Sequence, residues 1–259
     1  MRKKIVAIVE ARLNSKRFGG KVLKKINGKE ILKIILERLK LSKKIDKIVV
    51  ATTNNRKDDK IIKIIKKKYN YFRGSEKNVM KRVIGAADKF NANLIVRLTA
   101  DNPLVDAKAI DYMLNFYSKN TQIDYLTNNH FGNLKKRKLA LGLDIIIFKK
   151  NKLKFVQAQI NKLKNKRVFC EYPTLYFYTI GKKKFKIKNI NMPKRFFIGK
   201  KYRLTIDTKD DYQFFLKLFS HFKWNKRYVS IPDIKKILIK YPNLYKINNN
   251  IIQFQPKLK

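Results

Sequence analysis

The amino-acid sequence predicts an α/β protein with a mostly parallel central sheet flanked by helices and a mixed C-terminal half. Three observations carry this. Short β-branched runs at residues 4–9 (KIVAIV), 46–51 (DKIVVA) and 93–98 (NLIVRL) have the composition of strands buried on both faces. Amphipathic helical patterns fill the intervals, and this alternation specifies right-handed β-helix-β crossovers. No stretch rich in Gly, Ser or Pro divides the 259 residues, and there is no internal repeat. One continuous domain over residues 1–259 is the simplest organisation.

The elements follow in order. Residues 4–9 form the first strand. Glu30–Leu41 (EILKIILERLKL) places Ile31, Ile34, Ile35 and Leu39 on one helical face. The strand at 46–51 precedes a helix over Asp58–Lys68, and Asn78–Phe90 predicts the helix before the strand at 93–98. After the turn Asp101-Asn102-Pro103, a fourth helix runs over Ala107–Tyr117. Beyond about residue 120 the pattern becomes mixed. Strands are expected at 123–127, 143–148, 174–180, 185–190 and 202–206, with helices near 151–164, 208–220 and 231–240. Residues 246–259, ending NNNIIQFQPKLK, read as a polar tail or a short partner-seeking strand.

Composition narrows the function. No run of 18 apolar residues exists, which argues against a membrane span. The start MRKKIVAIV is basic then apolar, but EARLNSKR follows with no small-residue cleavage site, so it reads as a strand of a cytoplasmic protein. The one cysteine, Cys170, excludes an internal disulfide and reads as a small packed residue. The two histidines, His130 and His221, are far apart, which argues against a zinc enzyme. Lys and Arg number 64 against 18 Asp and Glu, a formal net charge of +46. Such an excess suits a polyanion partner. It is spread along the whole chain, however, and Asn, Ile, Tyr and Phe are abundant beside Lys. These residues share A/T-rich codons, so genome base composition is the favoured account of the bias, with a polyanion partner such as nucleic acid as the alternative.

Three stretches could carry chemistry. In open α/β sheets, ligands bind beyond the carboxyl ends of the strands, at the switch point. The segment VEARLNSKRFGGK (residues 9–21) leaves the first strand at that edge. Gly19 and Gly20 permit backbone geometries that let N–H groups face an anion. Arg12, Arg17 and Lys21 add positive charge suited to phosphate. The glycine spacing fits neither a Walker loop nor a dinucleotide fingerprint. Physics alone leaves a phosphate cradle and a solvated basic loop equally open. In VRLTADNPLVD (96–106), Asp101 follows a buried strand at the same edge. It could hold a divalent ion bridging bound phosphates, or simply begin a turn. In YRLTIDTKDDY (202–212), Asp207 again ends an apolar run before a helix that Thr208 or Asp210 could cap. Two such acids in so acid-poor a chain favour the metal reading.

EARLNSKRFGGKVLKKINGKEILKIILERL, IVVATTNNRKDD, FRGSEKNVMKR, VRLTADNPLVDAKAID and YRLTIDT together resemble the SpsF family of spore-coat-polysaccharide sugar nucleotidyltransferases. That family is similar to the cytidylyltransferases that activate ketodeoxyoctonate and acylneuraminate sugars. The likeness spans most of the chain and is strongest over residues 5–106. It implies a Rossmann-like nucleotide-diphospho-sugar transferase fold with a nucleotide-binding half (1–120) and a sugar-binding and dimerisation half (121–245). It also implies a Mg²⁺-dependent reaction in which CTP and a sugar give a CMP-sugar and pyrophosphate, and a homodimer.

Carried over by resemblance, Ala11, Arg12, Ser15, Arg17 and Lys21 match the triphosphate loop, with Arg12 and Lys21 stabilising the leaving pyrophosphate. Thr52, Thr53, Arg73, Ser75 and Thr99 match positions around the nucleotide. Asp101 and Asp207 match metal-binding carboxylates, Asp101 being catalytic. Gly142, Asp144 and Glu171 resemble the sugar side. The chain departs from the family pattern at Gly19, where Pro is usual, at Lys77, Asn78 and Lys81, where acids are common, and at Tyr172, where His is usual. Two rival readings are a glycosyltransferase of the same fold and a non-enzymatic polyanion binder. Pro103 breaks the Asp-x-Asp pattern of the first, and the two acids argue against the second.

Overall fold

The computed structural model describes residues 3–15, 17–129, 135–222 and 228–256. The chain opens with β1 (Ile5–Glu10), a small hairpin of β2 (Lys25–Ile26) and β3 (Lys29–Glu30), and helix α1 (Ile31–Leu39). Next come β4 (Lys47–Thr53), α2 (Asp59–Ile65), β5 (Asn70–Gly74), α3 (Val79–Lys89), β6 (Leu94–Thr99) and α4 (Ala107–Ser118). The remainder supplies β7 (Tyr125–Thr127), β8 (Ile146–Lys149), α5 (Lys150–Asn161), α6 (Arg167–Glu171), α7 (Leu175–Tyr178), β9 (Ile187–Asn189), α8 (Lys209–Ser220) and α9 (Ile231–Lys240). The hairpin turns on Asn27 and Gly28, both at positive φ (47° and 79°), a signature of its two-residue connection.

A seven-stranded sheet runs β5-β4-β1-β6-β8-β7-β9. Only β8 runs against its neighbours. The sheet is therefore mostly parallel, with the expected mixing in the second half. Strand residues alternate between two apolar layers, as the pleat requires. Ala7 and Val9 face the layer built by α1, α4, α8 and α9, while Val6 and Ile8 face that of α3 and α5. The chain moves outward from β1 through β4 to β5, then returns to β6 on the other flank of β1. The switch point thus lies between β1 and β6. Pairing of Glu10 with Thr99 and of Thr53 with Gly74 brings the loops after β1, β4, β5 and β6 to one edge.

Three expectations are corrected. Residues 174–180 do not form a strand; α7 occupies Leu175–Tyr178. The run reads as β by composition, but Tyr176 and Phe177 gain more by packing on Phe169 and Phe185, and tertiary burial overrides propensity. Residues 202–206 are extended yet lie outside the sheet, joined to Leu141 by a single bridge at Arg203. The edge strand β5 was not anticipated, because NYFRG is short and polar. Of the anticipated tail, residues 257–259 lie outside the described residues.

Arg38 of α1 is buried and donates to the carbonyl of Val105 at 2.6 Å and to that of Val229 at 2.8 Å. It ties the turn after β6 to the helical layer. Gly142 has φ +96°, and a Cβ there would lie 1.9 Å from the carbonyl oxygen of Leu204. Gly142→Ala should therefore lower unfolding stability by roughly 2–4 kcal/mol, measured by urea denaturation.

Candidate active site

The first-strand loop is held by acids from elsewhere. The Leu13 N–H donates to Asp58 Oδ1 at 2.8 Å, and the other oxygen of Asp58 accepts from the Thr53 hydroxyl. Glu76, in the loop after β5, accepts from Asn14 Nδ2 at 2.9 Å and Asn55 Nδ2 at 3.0 Å. These two hydrogen bonds hold the Glu76 carboxyl below its ordinary range. Arg12 reaches the Glu76 carbonyl only loosely, at 3.4 Å, and remains partly exposed. Gly20 takes a left-handed conformation (φ 68°) and donates its own N–H back to the Leu13 carbonyl at 2.9 Å. The turn thus uses glycine to aim the next residue, Lys21, inward, and the Gly20 N–H is not turned toward an anion.

Lys21 is the centre of the site. Its Nζ donates to Asp101 Oδ2 at 2.9 Å, Asp207 Oδ1 at 2.8 Å and the Ile206 carbonyl at 2.7 Å, so all three ammonium protons are used. Burial would lower the pKa of this ammonium; the two carboxylates outweigh it and hold the group above its ordinary value. For Asp101, burial would push the carboxyl upward, but Lys21 and the Thr99 hydroxyl, at 2.5 Å, hold it below the usual range. Asp207 also forms an ion pair with Arg17 Nη2 at 2.8 Å and accepts from Arg203 Nη2 at 3.2 Å. The Ile206 N–H donates to the Asp101 carbonyl at 2.8 Å, which stitches the 202–207 segment to the end of β6.

Capping of α8 falls to residues other than Asp207, although Asp211 also accepts from the Asp207 N–H at 2.9 Å. Thr208 is the N-cap and Asp211 completes a capping box, so Asp207 is left free to face Lys21 and Asp210 is not the cap.

The structure therefore brings Arg17, Lys21, Thr99, Asp101 and Asp207 together. Ala11 is buried and hydrogen-bonds the Ala51 carbonyl at 3.2 Å, while Ser15 sits partly exposed in the same loop. Thr52 is fully buried and its hydroxyl has no hydrogen-bond partner. The Arg73 guanidinium bonds the carbonyls of Thr53 and Asn55 at 3.0 Å each and pairs with Asp59 at 2.6 Å, so it braces the turn after β4. Ser75 accepts from the Asn78 N–H through its hydroxyl and from Arg82 through its carbonyl. On the other flank, Asp144 pairs with buried Arg137, and Glu171 stands exposed at the end of α6. His130 lies outside the described residues, and His221 stacks on Tyr241.

Sequence reasoning missed Arg203, Asp211 and the pair Glu10–Arg97. Arg97 Nε meets Glu10 Oε1 at 2.6 Å and Nη2 meets Oε2 at 2.9 Å, bridging the strand ends at the switch point. For Glu10 and Arg97 the signal was present: each is a charged residue in or at the end of an apolar run, and such charges are seldom buried without a partner.

Among the described residues no group of three or more His, Cys, Asp or Glu could hold a metal ion. The pair Asp101 and Asp207 still suits a hard divalent ion, which takes one or two protein carboxylates and fills its octahedron with water and phosphate oxygens. One oxygen of each already converges on a single cationic point, Lys21 Nζ.

Comparison with known proteins agrees with this fold. The profile of the cytidylyltransferase family matches residues 6–233. An uncharacterized protein of Methanocaldococcus jannaschii is 37% identical over 96% of both chains. The spore coat polysaccharide biosynthesis protein SpsF of Bacillus subtilis is 31% identical over 81% of this chain and 83% of its own. The solved structure of a cytidylyltransferase from Leptospira borgpetersenii superimposes with a TM-score of 0.83 at 32% identity, covering 98% of this chain and 100% of the other. The chain belongs to the cytidylyltransferase family.

The cluster predicts a pH signature. Asp101 has a folded pKa below its unfolded value, so its contribution is complete above the unfolded pKa and is lost as pH falls through the folded one. Asp101→Asn should cost about 1–3 kcal/mol near pH 7. The gap to the parent protein should close below about pH 4, as urea unfolding at a series of pH values would record.

Proposed function

We propose that this chain transfers the cytidylyl group of CTP to a sugar, giving a CMP-sugar and pyrophosphate for surface polysaccharide or glycan synthesis. The observation that carries the reading is the Lys21 ammonium shared between Asp101 and Asp207, with Arg17 on the same carboxylate. A cluster of this kind at the switch-point edge is suited to a triphosphate and its counter-ion.

The protein's task is positioning and charge neutralisation, since transfer at phosphorus asks little covalent chemistry of it. A sugar oxygen attacks the α-phosphorus in line, and pyrophosphate leaves on the opposite side. Arg12, half-exposed beside the loop, and Arg17 would hold the outgoing phosphates. Asp101 and Asp207 would hold Mg²⁺, which when bound neutralises phosphate charge and polarises the attacked centre. Lys21, held between the two carboxylates, would add fixed positive charge beside the phosphates.

Thr52, Thr53, Arg73 and Ser75 shape the nucleotide side, Arg73 through the backbone it braces. Asp144 and Glu171 belong to the sugar side, and Gly142 allows the close approach of the 139–144 and 202–206 segments. The working form is taken to be a cytoplasmic homodimer, for which light scattering would report twice the chain mass.

Two outcomes are expected. CTP with Mg²⁺ should raise the melting temperature more than ATP, GTP or UTP does, by about 2–4 °C per kcal/mol of binding free energy for a chain of this size. Asp101→Asn should reduce pyrophosphate release by about 10²-fold or more, as expected for loss of one electrostatic stabiliser. Pyrophosphate as product, rather than free nucleoside diphosphate, separates this reaction from glycosyl transfer. Near-normal release by the variant would remove Asp101 from the mechanism.

A further inference from the structure

The segment after α9 returns to the site. A 3-10 turn over Pro242–Ile247 leads to Asn248, which is buried. The Asn248 side-chain amide donates to the Arg203 carbonyl at 3.0 Å and to Asp211 Oδ1 at 2.9 Å. Further along, Gln253 Oε1 accepts from Arg203 Nη1 at 2.5 Å. The next ring, Phe254, stacks on Tyr172 with centroids 6.2 Å apart and planes 29° apart. Ile252, between these anchors, is 92% exposed, so hydrophobic burial of that side chain does not hold the segment down. Its directed contacts are polar and aromatic, and they end on Arg203 and Tyr172.

Arg203 makes its hydrogen bonds within the second half of the chain. Its Nε meets Asp211 Oδ1 at 2.8 Å, and its Nη2 meets both Asp211 Oδ2 and Asp207 Oδ2 at 3.2 Å. A guanidinium is a rigid planar fork, so fixing one edge sets the direction of the others. Asp211 grips the Nε side, Gln253 grips Nη1, and Asp207 receives what remains. Asp207 Oδ2 has Arg203 as its partner, while Oδ1 takes Lys21 and Arg17. The tilt of this carboxylate is therefore set from behind by Arg203. Tyr172, the other anchor, stands at the C-terminal end of α6.

We infer that Gln253 is a positioning residue: by holding Arg203 it orients Asp207 toward a divalent cation, which makes segment 248–254 part of the cation–triphosphate site. The inference rests on the functional reading above. Phe254 seats the segment and Gln253 transmits the seating. Groups that orient a metal ligand are commonly worth an order of magnitude or more in metal affinity.

The test titrates MgCl₂ at fixed CTP and reads the melting temperature for the parent protein, Gln253→Ala, Gln253→Glu and Phe254→Ala. The parent should show a CTP-dependent rise with a defined Mg²⁺ midpoint. That midpoint should move up about 10-fold in Gln253→Ala. It should move in the same direction in Phe254→Ala, and return to near the parent value in Gln253→Glu, which keeps an oxygen acceptor for Arg203. An unmoved midpoint in Gln253→Ala, even with a lower ligand-free melting temperature, would make Gln253 a purely structural contact and overturn the inference. A parent protein with no Mg²⁺-dependent response to CTP would instead overturn the functional reading, and this inference with it.

Discussion

The site depends on one ammonium group. Lys21 Nζ is shared by carboxylates that lie 80 and 186 residues away in sequence, one after β6 and the other before α8. Neither acid could be buried alone at acceptable cost, and the same holds for the lysine. Together with Arg17, Arg203 and Asp211 they balance: three cations against three carboxylates. In a protein carrying a formal +46 this is a locally neutral patch. It is assembled by pairing rather than by the general excess of lysine. The charge of the chain as a whole and the charge of the site are separate matters.

The sheet makes the sharing possible. Because β1 and β6 are adjacent and parallel, the loops after them leave the same edge side by side. One delivers Lys21 and the other Asp101. Asp207 arrives from a segment that never joins the sheet, held by backbone hydrogen bonds to Asp101 and Leu141. Asp211 then serves twice, as the capping box of α8 and as the partner of Arg203, so the start of a helix and the orientation of a neighbouring carboxylate are set by one side chain. Glu76 plays a comparable part toward β4, where a single carboxylate joins the loops after β1 and β4.

Much of this was legible in the residues. The strand–helix alternation up to residue 118 reads directly from apolar periodicity, since those strands are buried on both faces and those helices on one. Arg17, Lys21, Asp101 and Asp207 stood out as charged or acidic residues placed after apolar runs. The second half was less legible. TLYFYT has the composition of a strand, yet aromatic packing turns it into one helical turn. YRLTI has that composition too, yet it runs outside the sheet because its polar contacts go to Asp101, Leu141 and Asn248.

The sequence by itself determined the α/β class, the order of the three central strands β1, β4 and β6 with the helices between and after them, and which short stretches hold the charges of the site. These follow from local pattern, because periodicity and turn chemistry are short-range properties of the chain. Only the tertiary structure decided that Lys21 stands between the two acids, that Arg203 and Asp211 support Asp207, and that Gln253 and Phe254 come back over them. Those are contacts between residues far apart in sequence. Their geometry is set by how strands align and which loops share an edge, a long-range outcome of packing that no local pattern records.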